Sequence, residues 1–196
     1  MAHVDQAPDG KPMLTVSDAD DLLQWLETRK DRRDGTWLVR GRRGSQHPRL
    51  EYEDVIRVLL TVGWVDATMR MLDEGRSLLW ISPRRRGSVW SRPNKLRVAR
   101  LEAEGRMLAS GLAAIERAKA DGSWSVLDGP ENLEVPDDLA EGLAAAPGAR
   151  ANFDAFPPSA RKAYLGSIAM AKTEATRRRR IESTVERAEA NLRPGA

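Results

Sequence analysis

Every strand-like run in this sequence lies before residue 84, and every apolar run after residue 92 recurs at helical spacing. Residues 36–39 (TWLV), 64–71 and 77–82 are rich in the branched and aromatic side chains that suit a pleated, half-buried surface. Asp73, Glu74 and Gly75 mark a hairpin turn between the last two. Other apolar sets trace single helix faces: Leu22, Leu23 and Leu26 behind a Ser17 or Asp18 cap, Val55, Ile56, Leu59 and Leu60 within residues 52–61, Leu108, Leu112 and Ile115, and Ile181, Val185, Ala188 and Leu192. The first of these helices is predicted to end near Lys30, and Pro93 and Gly105 bracket another. A chain divided in this way predicts an α+β fold: a small antiparallel sheet with helices in the N-terminal half, and an all-helical C-terminal half.

Punctuation then suggests the organisation. Pro8, Gly10 and Pro12 interrupt any period, so residues 1–13 read as a disordered polar tail. Residues 14–125 form the α+β domain. Gly129, Pro130 and Pro136 punctuate an acidic connector, and four short helical patterns follow, so residues 126–196 are expected to pack on the domain as one cooperative unit with it. With 41% hydrophobic and 31% charged residues among 196, the chain is long and apolar enough to bury a core.

Several function classes fall away. The chain has no cysteine, which excludes a disulfide framework, a thiolate metal site and thiol catalysis. His3 and His47 sit in the expected tail and in a turn, so no metal cluster is predicted. There is no nucleophile elbow, phosphate loop or dinucleotide fingerprint, and no cofactor is expected. No stretch approaches the roughly 20 apolar residues of a membrane span, and the opening MAHVDQAPDGKPM lacks the apolar core of an export signal; the expectation is a cytoplasmic protein with no membrane span.

The net charge of +3 conceals two opposed blocks. Residues 76–106 hold nine Lys/Arg against Glu102 and Glu104, and residues 121–154 hold eight Asp/Glu against Arg150. They either neutralise each other or leave a basic face open to an anionic partner.

Within the basic block lie motifs of a recognisable kind. Residues 63–66 read GWVD, residues 82–95 read SPRRRGSVWSRPNK, and GRM at 105–107 and GSW at 122–124 follow. Ser159, Arg161, Ile168, AKTEATR at 171–177, Arg180 and Ile181 add a helical tail pattern. Together, from about Trp25 to Leu192, the chain resembles the YdeI/OmpD-associated family, also called the bacteriocin-protection family. The resemblance implies a domain of that type over residues 14–125, and association with resistance to peptide antibiotics and stress protection, with no established reaction.

The candidate ligand-binding set is Trp64, Asp66, Arg84, Arg85, Ser88, Trp90, Ser91, Asn94 and Lys95. Arg84, Arg85, Arg86, Arg92 and Lys95 around Trp80 and Trp90 combine guanidinium forks with aromatic faces, which suits a nucleotide, phosphate or nucleic acid. The competing reading makes both tryptophans core residues and the arginines a solvated rim. Ser91 and Asn94 suit helix capping, at a helix start that would equally attract an anion. Asp66 either pairs with an arginine of residues 84–86 or acts as a general base, the one catalytic candidate. In the run Arg177–Arg180, Arg178 and Arg179 have carboxylates at helical spacing, whereas Arg180 has none and is expected to reach elsewhere. Three functions follow: a binding or protection protein with an anion site, an enzyme using Asp66 in an arginine-lined cleft, or an interaction module whose basic face docks an acidic protein.

Overall fold

The computed structural model describes residues 2–29 and 34–195. Five strands form one sheet: β1 (His3–Gln6), β2 (Pro12–Thr15), β3 (Thr36–Gly41), β4 (Trp64–Met71) and β5 (Arg76–Pro83). Their order is β1-β2-β3-β5-β4. The β3–β5–β4 portion is antiparallel as expected, but β2 joins β3 in parallel, with Met13 opposite Trp37 and Leu14 opposite Leu38, so the sheet is mixed. Its central position explains why Thr36, Trp37, Leu38 and Val39 are all buried. A central strand has neighbours on both edges, and the buried cluster around Trp37 and Val39 covers one of its faces.

Two compact units are present, one comprising Met1–Ser88 with Pro93–Asp121 and the other Val89–Arg92 with Gly122–Ala196. The first holds the sheet and α1 (Ala19–Glu27), α2 (Tyr52–Val62), most of α3 (Arg92–Ala103) and α4 (Ala109–Ala120). Asp18 caps α1 by accepting the Asp21 amide at 2.8 Å; Lys30, where that helix was expected to end, lies outside the described residues. Helix α2 buries seven residues from Val55 to Val62 and packs on α1, β4 and α4. Gly63 ends it at φ 80°, in the left-handed region that glycine enters without cost. At the α2–α4 crossing a Cβ on Gly111 would stand 2.3 Å from the Thr61 carbonyl oxygen, so only glycine permits this approach.

The expected disordered tail is instead a hairpin. Pro8 and Gly10 sit in its turn, closed by the Ala7 amide on the Lys11 carbonyl at 2.8 Å and the Gly10 amide on the Ala7 carbonyl at 2.8 Å. Pro12 begins β2, where a missing amide is tolerated. What holds the hairpin is non-local: Ala7 and Met13 join Trp37, Val39 and Leu78 in a buried cluster with Leu72 and Trp80 against it. Asp9 accepts from the Trp37 indole at 3.1 Å and pairs with Arg70 at 3.2 Å, while Lys11 lies over the Trp80 ring.

Burial alone would raise the Asp9 carboxyl, but the Trp37 indole, the Lys11 amide and the Arg70 guanidinium outweigh it and hold the pKa below the ordinary 3.8. A depressed carboxylate stabilises above its unfolded pKa and loses that contribution as the pH falls through the folded value. Amide exchange across residues 3–15 is therefore expected to accelerate selectively once the pH drops below 3.8, and to be fast already at neutral pH in Asp9→Asn. Exchange that is uniform over the first unit would show that Asp9 does not fasten the hairpin.

The second unit contains α5 (Asp128–Glu131), α6 (Asp137–Ala145), α7 (Ala149–Ala155), α8 (Pro158–Ala169) and α9 (Glu174–Glu189). The four expected patterns are thus five helices, because the acidic connector itself folds. Leu133 and Val135 pack on the core made by Leu139, Leu143, Phe153, Phe156, Tyr164 and their neighbours, and Glu131 pairs with Lys162 at 2.9 Å. Phe153, Phe156 and Tyr164 form a three-ring cluster with centroids 6.2–6.4 Å apart. Arg180 does reach elsewhere, donating to the Ser167 carbonyl on α8. Arg177 makes a two-pronged bond to Asp138 at 2.6 and 2.8 Å. Among the described residues Arg178 and Arg179 are exposed and make no ion pair, so the expected pairing with Glu174 and Glu182 does not form.

Candidate functional site

Four polar groups of the first unit meet where α2, β4, β5 and α3 come together. A register shift between Asp66 and Met69 places both on one face of β4, opposite Ile81 and Leu79, and a bulge of this kind re-aims side chains. Asp66 Oδ2 accepts the Tyr52 hydroxyl at 2.8 Å. Arg84, one residue beyond β5, is drawn inward when its amide donates to the Gly63 carbonyl at 3.0 Å; its guanidinium reaches the Ser88 hydroxyl at 3.3 Å. Arg97 on α3 clasps Glu53 at 2.6–3.1 Å and donates to Asn94 Oδ1 at 3.2 Å.

Arg84 decides the electrostatics. It is only 7% exposed. Desolvation lowers its pKa to about 10, opposed by the charge of the Asp66 carboxylate. The Tyr52 ring is 45% exposed, but its hydroxyl turns in to Asp66; desolvation and then that hydrogen bond push its pKa up to about 12. Glu53 holds Arg97 above the usual arginine range, and Arg97 holds Glu53 below the usual carboxylate range. At neutral pH Tyr52 is therefore a hydrogen-bond donor and neither base nor nucleophile. Arg97 is committed to Glu53 and Arg84 is buried against Ser88, which suits an anchor better than proton transfer.

The remaining candidates separate. Trp64 is buried and edge-on to Trp25 at 6.4 Å, a core residue. Trp90 and Ser91 belong to the second unit; Trp90 is 1% exposed against Trp124, with centroids 5.0 Å apart. The core reading of Trp90 therefore stands, and no free aromatic platform exists there. Trp80 pairs with Trp37 at 5.0 Å and carries Lys11, not the arginines of residues 84–86. Asn94 serves Arg97, and Lys95 is half-buried on α3. Arg85 and Arg86 stay exposed on a turn that Gly87 shapes at φ 73° and fastens by donating its amide to Asp121 at 3.0 Å. Among the described residues no carboxylate pairs with either arginine.

Part of each charge block is neutralised close to home. Asp73 takes Arg76, Glu53 takes Arg97 and Glu104 takes Arg106, while Lys162, Arg177 and Arg150 take Glu131, Asp138 and Asp154. Tyr52, Glu53 and Arg97 are the members of this cluster that sequence reasoning missed. Tyr52 and Arg97 carry no motif, and no helical or strand period links either to Asp66.

Residues 14–114, just over half of the chain, match the family model described as Domain of unknown function (DUF8412). The chain belongs to this family. Residues 132–191 match a second model, Bacteriocin-protection, YdeI or OmpD-Associated, the family that the sequence resembles. The helical tail pattern lies inside that second match, whereas the GWVD and SPRRRGSVWSRPNK motifs lie inside the DUF8412 segment, so the resemblance is narrower than the span from Trp25 to Leu192. No curated protein and no solved structure matches the chain. The DUF8412 segment thus contributes Tyr52, Asp66, Arg84 and the Arg85–Arg86 turn. Among the described residues no group of three His, Asp or Glu side chains could hold a metal ion, and no helix is long and apolar enough to cross a membrane.

Proposed function

We propose that this chain is a binding protein of the bacteriocin-protection kind that docks an acidic protein partner through the Arg85–Arg86 turn. The observation that carries the reading is the contrast within one arginine run: Arg84 is buried, while Arg85 and Arg86 are exposed with no carboxylate of their own among the described residues. Guanidinium forks match carboxylates two-pronged, and a turn fixed from below presents them at little entropic cost. Burial of Trp90 favours an acidic protein over nucleic acid, since bases need an open aromatic face to stack on. The raised Tyr52 pKa and the engaged Asp66 favour binding over acid–base catalysis.

Titration calorimetry tests this with a glutamate-rich peptide, a short single-stranded oligonucleotide, ATP and inorganic phosphate. The peptide is expected to bind most tightly and to weaken as salt rises. Changing Arg85 and Arg86 to Gln is expected to weaken it about tenfold or more, as loss of two charge-assisted contacts implies. Changing Arg178 and Arg179, an exposed pair of equal charge, is expected to leave it unaltered. Equal losses in both variants would reduce the site to general basicity, and preference for ATP or the oligonucleotide would restore a phosphate site.

A further inference from the structure

The second unit includes four residues that arrive from outside its continuous stretch. Val89–Arg92 belongs to it although Ser88 and Pro93 on either side belong to the first unit. Residues 89–91 have no helix or strand of their own, and the side chains of Trp90 and Arg92 both engage the second unit. The Trp90 indole is 1% exposed, tilted 47° against Trp124 with centroids 5.0 Å apart. Two residues on, the Arg92 guanidinium donates to Asn132 Oδ1. That oxygen is presented in a set direction, because the same amide donates through Nδ2 to Glu134 Oε1 at 3.0 Å, while Leu133 turns the chain at φ 61°. An indole contact and a guanidinium contact two residues apart thus seat one short segment on the second unit.

We propose that the second unit carries a peptide-binding slot for a short segment with tryptophan followed two residues later by arginine, and that Val89–Arg92 fills this slot in cis. Recognition has two separable parts. The indole supplies buried apolar area against Trp124, and the arginine supplies direction through Asn132. A tethered segment competes at an effective concentration that free peptide rarely matches, so the intact protein is closed to such peptides and becomes open only when residue 90 is vacated or the segment is withdrawn.

The test uses the full chain. Trp90→Ala is titrated with the acetylated, amidated tetrapeptide Val-Trp-Ser-Arg, with its Val-Trp-Ser-Ala analogue and with indole, reading calorimetric stoichiometry and the melting temperature. One-to-one binding by Trp90→Ala is expected, at least about 100-fold tighter than by the parent protein, as removal of a tethered competitor implies. The arginine peptide is expected to bind more tightly than its analogue, and Asn132→Ala added to Trp90→Ala is expected to abolish that difference. Should Trp90→Ala not fold alone, recovery of helical circular dichroism on adding the peptide is the same result read through folding, and Trp90→Phe provides a second partly vacated slot. Failure of the peptide both to bind and to restore structure in either variant would make Trp90 an ordinary core residue and overturn the proposal. Indole binding without any preference for the arginine peptide would overturn the peptide slot.

Discussion

Replacing Trp90 with alanine is expected to lower the stability of the second unit by about 3–5 kcal/mol, the range for truncating a fully buried aromatic. The size of the effect follows from burial to 1% and from the Trp124 ring at 5.0 Å, which loses its stacking partner and faces a void. Denaturant melts followed by far-ultraviolet circular dichroism are expected to show a lower midpoint for the helical signal. Trp90→Phe, which keeps an aromatic face, is expected to lose less. Since a marginally stable unit has only some 5–15 kcal/mol in hand, the alanine variant is also expected to be sensitive to protease between Gly122 and Pro136. An unchanged midpoint would place Trp90 outside the core and free it as a ligand platform.

Asp66→Ala is expected to cost about 1–2 kcal/mol, because the half-buried Asp66 accepts the Tyr52 hydroxyl and water screens part of its charge. The loss has two sources: a favourable charge acting on the desolvated Arg84 is removed, and the Tyr52 hydroxyl loses its acceptor. A titration separates the two sources. With Asp66 changed to Asn, the Tyr52 pKa is expected to fall from about 12 while desolvation still holds it above 10.0. The chain has only two tyrosines, so tyrosinate absorbance resolves the change. The sign is fixed by charge: a neighbouring carboxylate opposes formation of a phenolate, and its removal relieves that opposition. A Tyr52 pKa unaltered by Asp66→Asn would show that the hydroxyl does not face Asp66.

Short-range signals in the sequence determined much of this architecture. The cap at Asp18, the periodicity of residues 52–61 and the β4–β5 turn at Asp73–Gly75 each depend on neighbours a few positions away; α2, β4 and β5 stand within a residue or two of their expected places, and α1 starts at its expected cap. Tertiary structure decided the rest. Pro8, Gly10 and Pro12 are as compatible with a tail as with a hairpin, and only the buried contacts of Ala7 and Met13 with Trp37 and Leu78 make the difference. Of three adjacent arginines with the same chemistry, Arg84 became internal because its backbone continues onto the Gly63 carbonyl beside Asp66, while Arg85 and Arg86 pass into an open turn. Local residue type fixes what a segment can form, but desolvation and charge compensation are properties of the surrounding volume, and that volume is filled by residues far apart along the chain.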